Sequence, residues 1–125
     1  MAVTNTSDMQ GYKNSNDLSA KRYYIVKQDT SNDGYVVLAA AATDPILGVL
    51  QNDPKAGETA VVKVGPPGDG KVIAGGTIHN GDKITSDSNG KAVATTTAGD
   101  NIIGVAVQEA VTGDIFRYRA ENSRY

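Results

Sequence analysis

Apolar residues along this 125-residue chain fall in short runs, each broken by glycine or by a polar cluster. None has the 3.6-residue spacing sustained over several turns that an amphipathic helix needs. Lys21-Arg22-Tyr23-Tyr24-Ile25-Val26-Lys27-Gln28 is the first run that reads as a strand, being rich in aromatic and β-branched residues. Asp33-Gly34 then marks a turn, and Tyr35-Val36-Val37-Leu38 starts a second strand. The alanines after Leu38 either continue that strand or form one helical turn, and Pro45 ends whatever precedes it. Ile46 to Leu50, Thr59 to Val64 and Lys71 to Ala74 follow as strands, with Gly65-Pro-Pro-Gly-Asp-Gly70 as a break. Thr59 to Val64 alternates only loosely, which predicts cover on both of its faces. Lys83-Ile84-Thr85 and Lys91 to Ala94 flank Asp87-Ser88-Asn89-Gly90, a hairpin with the favoured Asn-Gly pair.

One pattern occurs twice, 56 residues apart. Asp44-Pro-Ile46-Leu47-Gly48-Val49-Leu50 leads to Gly57-Glu58-Thr59-Ala60-Val61-Val62, and Asp100-Asn-Ile102-Ile103-Gly104-Val105-Ala106 leads to Gly113-Asp114-Ile115-Phe116-Arg117-Tyr118. Each copy is a strand with a glycine inside it, a polar connection, and a Gly-acid turn into another strand. A glycine inside a strand permits a bulge or a close backbone approach, so Gly48 and Gly104 are predicted bends. Gly57, Gly90 and Gly113 are predicted turn positions. Eight or nine strands with little helix predict an all-β fold, a small compact β-barrel or β-tulip-like domain.

Composition supports that class: 13 Val and 8 Ile stand against 4 Leu, and β-branched side chains suit a pleated surface. Residues 1–20 contain few larger apolar groups, among them Val3, Met9, Tyr12 and Leu18, without period, and are predicted to be a flexible N-terminal arm. Residues 21–125 form the predicted β-rich domain. Twelve basic and fourteen acidic residues give a net charge of −2, which argues against nucleic acid as the main partner and against an electrostatic membrane anchor. The chain has no cysteine, which removes disulfides and thiolate chemistry. No apolar run approaches a membrane span, and a signal peptide's apolar core is missing, so synthesis in the cytoplasm is expected.

Candidate chemistry is thin. His79, the single histidine, could serve as a general base oriented by Asp82, but it lies in a turn, His79-Asn80-Gly81-Asp82, where a plain polar role suffices. One His without Cys is a poor start for a metal site. Gly65 to Lys71 lacks the Ser or Thr and the helix of a phosphate-binding loop. Asp87 to Gly90 lacks the glutamate of a calcium loop, since Thr96 stands there. No catalytic residue, cofactor or metal is assigned. The seven aromatics gather toward the first and last strands, with Arg22, Arg117, Arg119 and Arg124 close by, a composition that suits either packing or an interface.

The order Ile46-Leu47-Gly48-Val49, Gly57-Glu58-Thr59-Ala60-Val61, Lys71 to Gly76, Gly81 to Val93 and Ile102 to Ala106 resembles the capsid decoration, or cement, proteins of tailed bacteriophages, over roughly residues 35–118. Their reference architecture is that of the phage lambda head decoration protein. The resemblance implies a non-enzymatic protein that binds the outer surface of the expanded head as homotrimers, partners the major capsid protein, and stabilises the shell. It places the protein on the virion's outer capsid surface. It also implies that an N-terminal arm orders against the shell. By residue type and position near the start of the chain, Tyr12, Lys13, Leu18, Lys21, Arg22 and Tyr23 are the candidate capsid-binding residues. The alternatives are another virion module (a head-fibre base, a tail or baseplate adaptor) and a small hydrolase using His79.

Overall fold

A computed structural model describes residues 9–66 and 68–125. They form ten strands in two five-stranded antiparallel sheets, with no helix among the described residues. In chain order the strands are β1 (Met9–Tyr12), β2 (Ile25–Gln28), β3 (Val36–Leu38), β4 (Ile46–Leu50), β5 (Ala60–Lys63), β6 (Asp69–Ile73), β7 (Lys83–Ser86), β8 (Ala92–Ala94), β9 (Asn101–Ala106) and β10 (Ile115–Arg124). The all-β expectation holds. Sheet 1 runs β1-β5-β4-β2-β3 and sheet 2 runs β6-β10-β9-β7-β8, so the second sheet repeats the strand order of the first.

The repetition extends to register. Val49 pairs with Lys63 and Leu50 with Val62; at residue numbers raised by 56, Val105 pairs with Arg119 and Ala106 with Tyr118. The connections agree as well. Lys55 N–H donates to Glu58 Oε1 at 2.7 Å, and Val111 N–H donates to Asp114 Oδ2 at 3.0 Å. Leu18 N–H reaches Pro54 O at 2.8 Å, and Ile78 N–H reaches Ala110 O at 2.8 Å. The chain is therefore a tandem duplication of one five-stranded unit. The sequence pattern revealed only its β4–β5 portion.

Two strands lie where no strand was expected. Met9–Tyr12 pairs with β5, Met9 opposite Lys63 and Tyr12 opposite Ala60. Leu18, 3% exposed, and Asn14, 2% exposed, are buried. Of the arm predicted over residues 1–20, residues 9–20 thus pack on the body, and residues 1–8 lie outside the described residues. A four-residue strand whose larger apolar groups, Met9 and Tyr12, stand at its two ends carries no period of its own, so only the partner strand reveals it. At the other end, the polar residues from Glu121 to Arg124 belong to β10, which passes a bulge between Ala120 and Ser123 and pairs Ser123 with Ile102. The alanine run forms a turn instead of extending the strand or making a helical turn, because the Asp44 carboxylate accepts the N–H groups of Ala40 (2.7 Å) and Ala41 (3.0 Å). β2 starts only at Ile25, because Tyr23 sits at φ +70° and breaks the extended run that began at Lys21.

Two apolar clusters hold the halves. Leu18, Val26, Val36, Leu50, Ala60 and Val62 fill the first half. Their counterparts Ile78, Ile84, Ala92, Ala106, Phe116 and Tyr118 fill the second, and there Ile25, Ala39 and Val49 join them. Ile25 and Val49 point to the face of sheet 1 opposite Val26 and Leu50, since neighbouring side chains on a strand alternate. One face of the second unit is thus stacked on the back of the first. β5 is covered on both faces, as the loose pattern of Thr59 to Val64 predicted: Ala60, Val62 and Lys63 are 0, 0 and 2% exposed. Hydrogen bonds also cross the seam, from Ile73 N–H to Tyr23 O at 2.9 Å and from Asn101 Nδ2 to Asp44 O at 2.7 Å.

Candidate functional site

The two intrastrand glycines allow a close approach of backbones. A Cβ on Gly48 would lie 2.0 Å from Lys63 O, and one on Gly104 would lie 2.1 Å from Arg119 O. Both strands cross their neighbour at a distance that no side chain permits. Gly57, Gly90 and Gly113 hold φ of +86°, +79° and +92° at turns, and Gly90 also accepts Ile25 N–H on its carbonyl at 2.7 Å. That last bond ties the β7–β8 hairpin of one half to β2 of the other.

Tyr23 is the one described non-glycine residue with positive φ, and its counterpart in the second half is Gly81, at φ +95°. The correspondence follows from hydrogen bonding, since Tyr23 N–H donates to Leu50 O and Gly81 N–H donates to Ala106 O, both at 2.8 Å. A left-handed conformation costs a tyrosine about 1–2 kcal/mol, and its half-buried ring packs on the larger cluster in return. No sequence signal marks this residue unless the two halves are first aligned.

The six residues expected to touch a shell are not one patch. Tyr12 is half-buried against the smaller cluster, and Lys13 is exposed beside Tyr35, its Nζ 5.8 Å from that ring. Leu18 is a core residue and presents no surface for a partner in this structure. Lys21 stands over the Tyr24 ring at 4.9 Å, and Arg22 pairs with Asp53 at 3.3 Å on the surface. Lys21, Arg22 and Tyr23 therefore share one turn, while Tyr12 and Lys13 adjoin Gly34 and Tyr35. Asn14, which no sequence signal singled out, ties this region down: its Nδ2 donates to Asn16 O and Lys55 O, and its Oδ1 accepts Asn16 N–H.

The aromatic residues of the last strand are packing residues: Phe116 and Tyr118 are each 2% exposed. Alternating with them, the strand turns Ile115, Arg117 and Arg119 outward. Arg117 lies opposite Lys71 and reaches Asp69 at 3.8 Å. On the same face Lys83 pairs with Glu121 at 3.3 Å.

Little of the arrangement offers reaction chemistry. Asp82 Oδ2 accepts the backbone N–H of His79 at 2.8 Å, so this carboxylate closes the turn and does not orient the imidazole. Asp87 does the same for Asn89 and Lys91. Among the described residues no three His, Cys, Asp or Glu side chains gather as a metal site would require. Asp44 has the most developed carboxylate environment. Burial pushes its pKa up, but the Ala40 N–H, the Lys27 ammonium at 3.1 Å and the Ala41 N–H together outweigh that and hold it below the usual carboxylate range. Its role is to fix the turn before β4.

The profile of the phage cement protein family matches residues 17–119. Comparison with curated proteins finds no match. Among solved structures, the head fibre gp8.5 N base of bacteriophage phi29 is similar, with a TM-score of 0.73 and 24% identity over 94% of this chain and 96% of that one. At that identity the likeness establishes a shared fold.

Proposed function

The chain belongs to the phage cement protein family, and on that premise we propose that it binds the outer surface of the expanded head as homotrimers and stabilises the shell. Membership makes it a capsid-associated structural protein of the virion, and the class is not an enzymatic one. The family match over residues 17–119 is the observation that carries the reading. Physical features agree with it. A Cys-free chain with short, open-edged sheets gains stability when edges are covered by other subunits. Contacts repeated over a lattice act together, so none has to be strong alone.

For shell contact we propose residues 1–8 together with Tyr12, Lys13, Lys21, Arg22 and Tyr23, with the major capsid protein as partner. The test uses purified empty heads, offered an excess of the protein and then heated. Decorated heads should rupture later than bare ones, and deletion of residues 2–8 should leave a folded protein with weakened attachment. Heads that take up none of the intact protein would end this reading.

A second reading has its own support. The fold shared with a head fibre base makes this chain a candidate base for a fibre standing on the head. Antibody labelling of virions separates the two: lattice-wide label supports decoration, and label confined to fibre positions supports the base.

A further inference from the structure

The duplication provides an internal standard for what each half should contain, and one position in the first half is not filled by any of the described residues. In sheet 2, β10 continues past Arg119, so that Ser123 and Arg124 pair with Ile102 and Asn101 of β9. In sheet 1, pairing between β4 and β5 ends at Val49 and Lys63. There the chain turns away through Gly65, at φ +53°, and Pro66. Proline has no N–H to offer a ladder, so β5 cannot supply the missing run itself.

Burial records the difference. Ile102, Ile103 and Ala120 are 4, 6 and 6% exposed, whereas their counterparts Ile46, Leu47 and Val64 are only half-buried. A cleft of about 120 Å³ opens there, bounded by Leu47 and Val64 on one side and Ile103 and Glu121 across the seam. That is room for about four water molecules, or for a side chain of a strand laid over it.

We infer that the flank of β4 at Ile46–Gly48 is an acceptor site for an extended segment of the capsid protein, lying antiparallel to β4 where residues 120–124 lie beside β9. The second half shows that this geometry takes a strand, and that a strand there buries both isoleucines of its own β9. Adding a strand to an open flank lets main-chain hydrogen bonds give affinity while alternate side chains enter pockets. A capsid segment is the occupant because the capsid is the partner that family membership supplies. The inference rests on the capsid-binding reading and adds to it a place on this chain.

The absence of cysteine makes the test direct. Leu47→Cys carries a single thiol at the site, and Val111→Cys, at a position 58% exposed, carries one on a turn of the second half. Maleimide labelling of each variant is followed free and on saturated heads. Labelling at position 47 should slow about tenfold on heads, as nine-tenths occupancy requires, while position 111 keeps its free rate. Unchanged labelling at 47, or equal slowing at both positions, overturns the inference. So does slowing in the free protein that rises with its concentration, which would make a second copy the occupant. Slowing in the free protein that disappears on deletion of residues 2–8 would assign the site to this chain's own start, and also overturns it. If Leu47→Cys fails to fold, Val64→Cys serves the same comparison. Heads that bind no unsubstituted protein would sink the capsid-binding reading itself, a result scored by counting bound copies and distinct from all of these.

Discussion

Substituting Gly48 by alanine tests the close crossing of β4 and β5. The added methyl would lie 2.0 Å from Lys63 O and 2.9 Å from Lys63 C, and both are backbone atoms that cannot rotate aside. To reach even a tight contact the two strands must part by about 1 Å, a displacement typical of overpacked cores, which costs about 1–3 kcal/mol. The ladder affected contains two registered pairs, Val49 with Lys63 and Leu50 with Val62. Weakening it removes about 1 kcal/mol per hydrogen bond lost. Replacing a glycine in a strand returns about 0.5–1 kcal/mol of chain entropy. The net expectation is a loss of about 2–3 kcal/mol, or a Tm lower by about 10 °C for a domain of this size. Gly34→Ala is the control, because Gly34 has φ +78° with nothing within 4 Å of a Cβ. It should cost only the left-handed penalty of about 1–2 kcal/mol. Thermal unfolding followed by circular dichroism reads both variants. If Gly48→Ala melts no lower than Gly34→Ala, the crossing is not as tight in solution as described, and the same argument for Gly104 falls with it.

Two further substitutions probe the turns that join the halves. Asp44→Asn should lower stability by about 1 kcal/mol at pH 7, the discounted worth of a partly exposed charged network. Because the Asp44 pKa is depressed in the fold, its contribution is present above the unfolded carboxylate value of about 4 and is lost as pH falls through the lower folded value. Urea midpoints should therefore differ between variant and wild type at pH 7 and converge in acid; an unchanged gap at pH 2 would refute this. Tyr23→Gly removes about 1–2 kcal/mol of backbone strain but exposes the surface that the ring covers, a loss of about 2 kcal/mol, to which glycine's entropy adds about 0.5–1 kcal/mol. A slightly lower Tm is expected, and a higher one would show that ring burial does not hold Tyr23 in place.

Composition and short apolar runs made the class of the fold legible, because β-branched residues and closely spaced turns leave few other options. The repeat was legible only where both copies kept the same chemistry, at Ile46-Leu47-Gly48-Val49 and Ile102-Ile103-Gly104-Val105. Elsewhere the copies diverged for physical reasons. Ile25 became Lys83 because one is covered and the other faces water, and Tyr23 stands where its counterpart is Gly81. Insertions before β3 also shift the spacing, so that Leu18 corresponds to Ile78 at an offset of 60 instead of 56. β1 was hidden because its pairing comes from β5 and not from its own residues. The candidate contact residues were chosen by type and position near the start of the chain, which gave no means of knowing that Leu18 turns inward.

The stacking of one unit on the back of the other is a head-to-tail contact, and such contacts have no inherent stopping point. Repeated between molecules they grow into filaments. Growth would need the outer face of the second unit to be as greasy as Ile25, Ala39 and Val49 make that of the first. Instead the matching places hold Lys83, Thr95 and the half-exposed Val105, with Arg119 alongside. A third unit arriving there would have to strip water from the Lys83–Glu121 ion pair and from the exposed Arg119. Polar replacements at two sites, Lys83 for Ile25 and Thr95 for Ala39, thus disfavour a third unit on the stack and guard the protein against polymerising on itself.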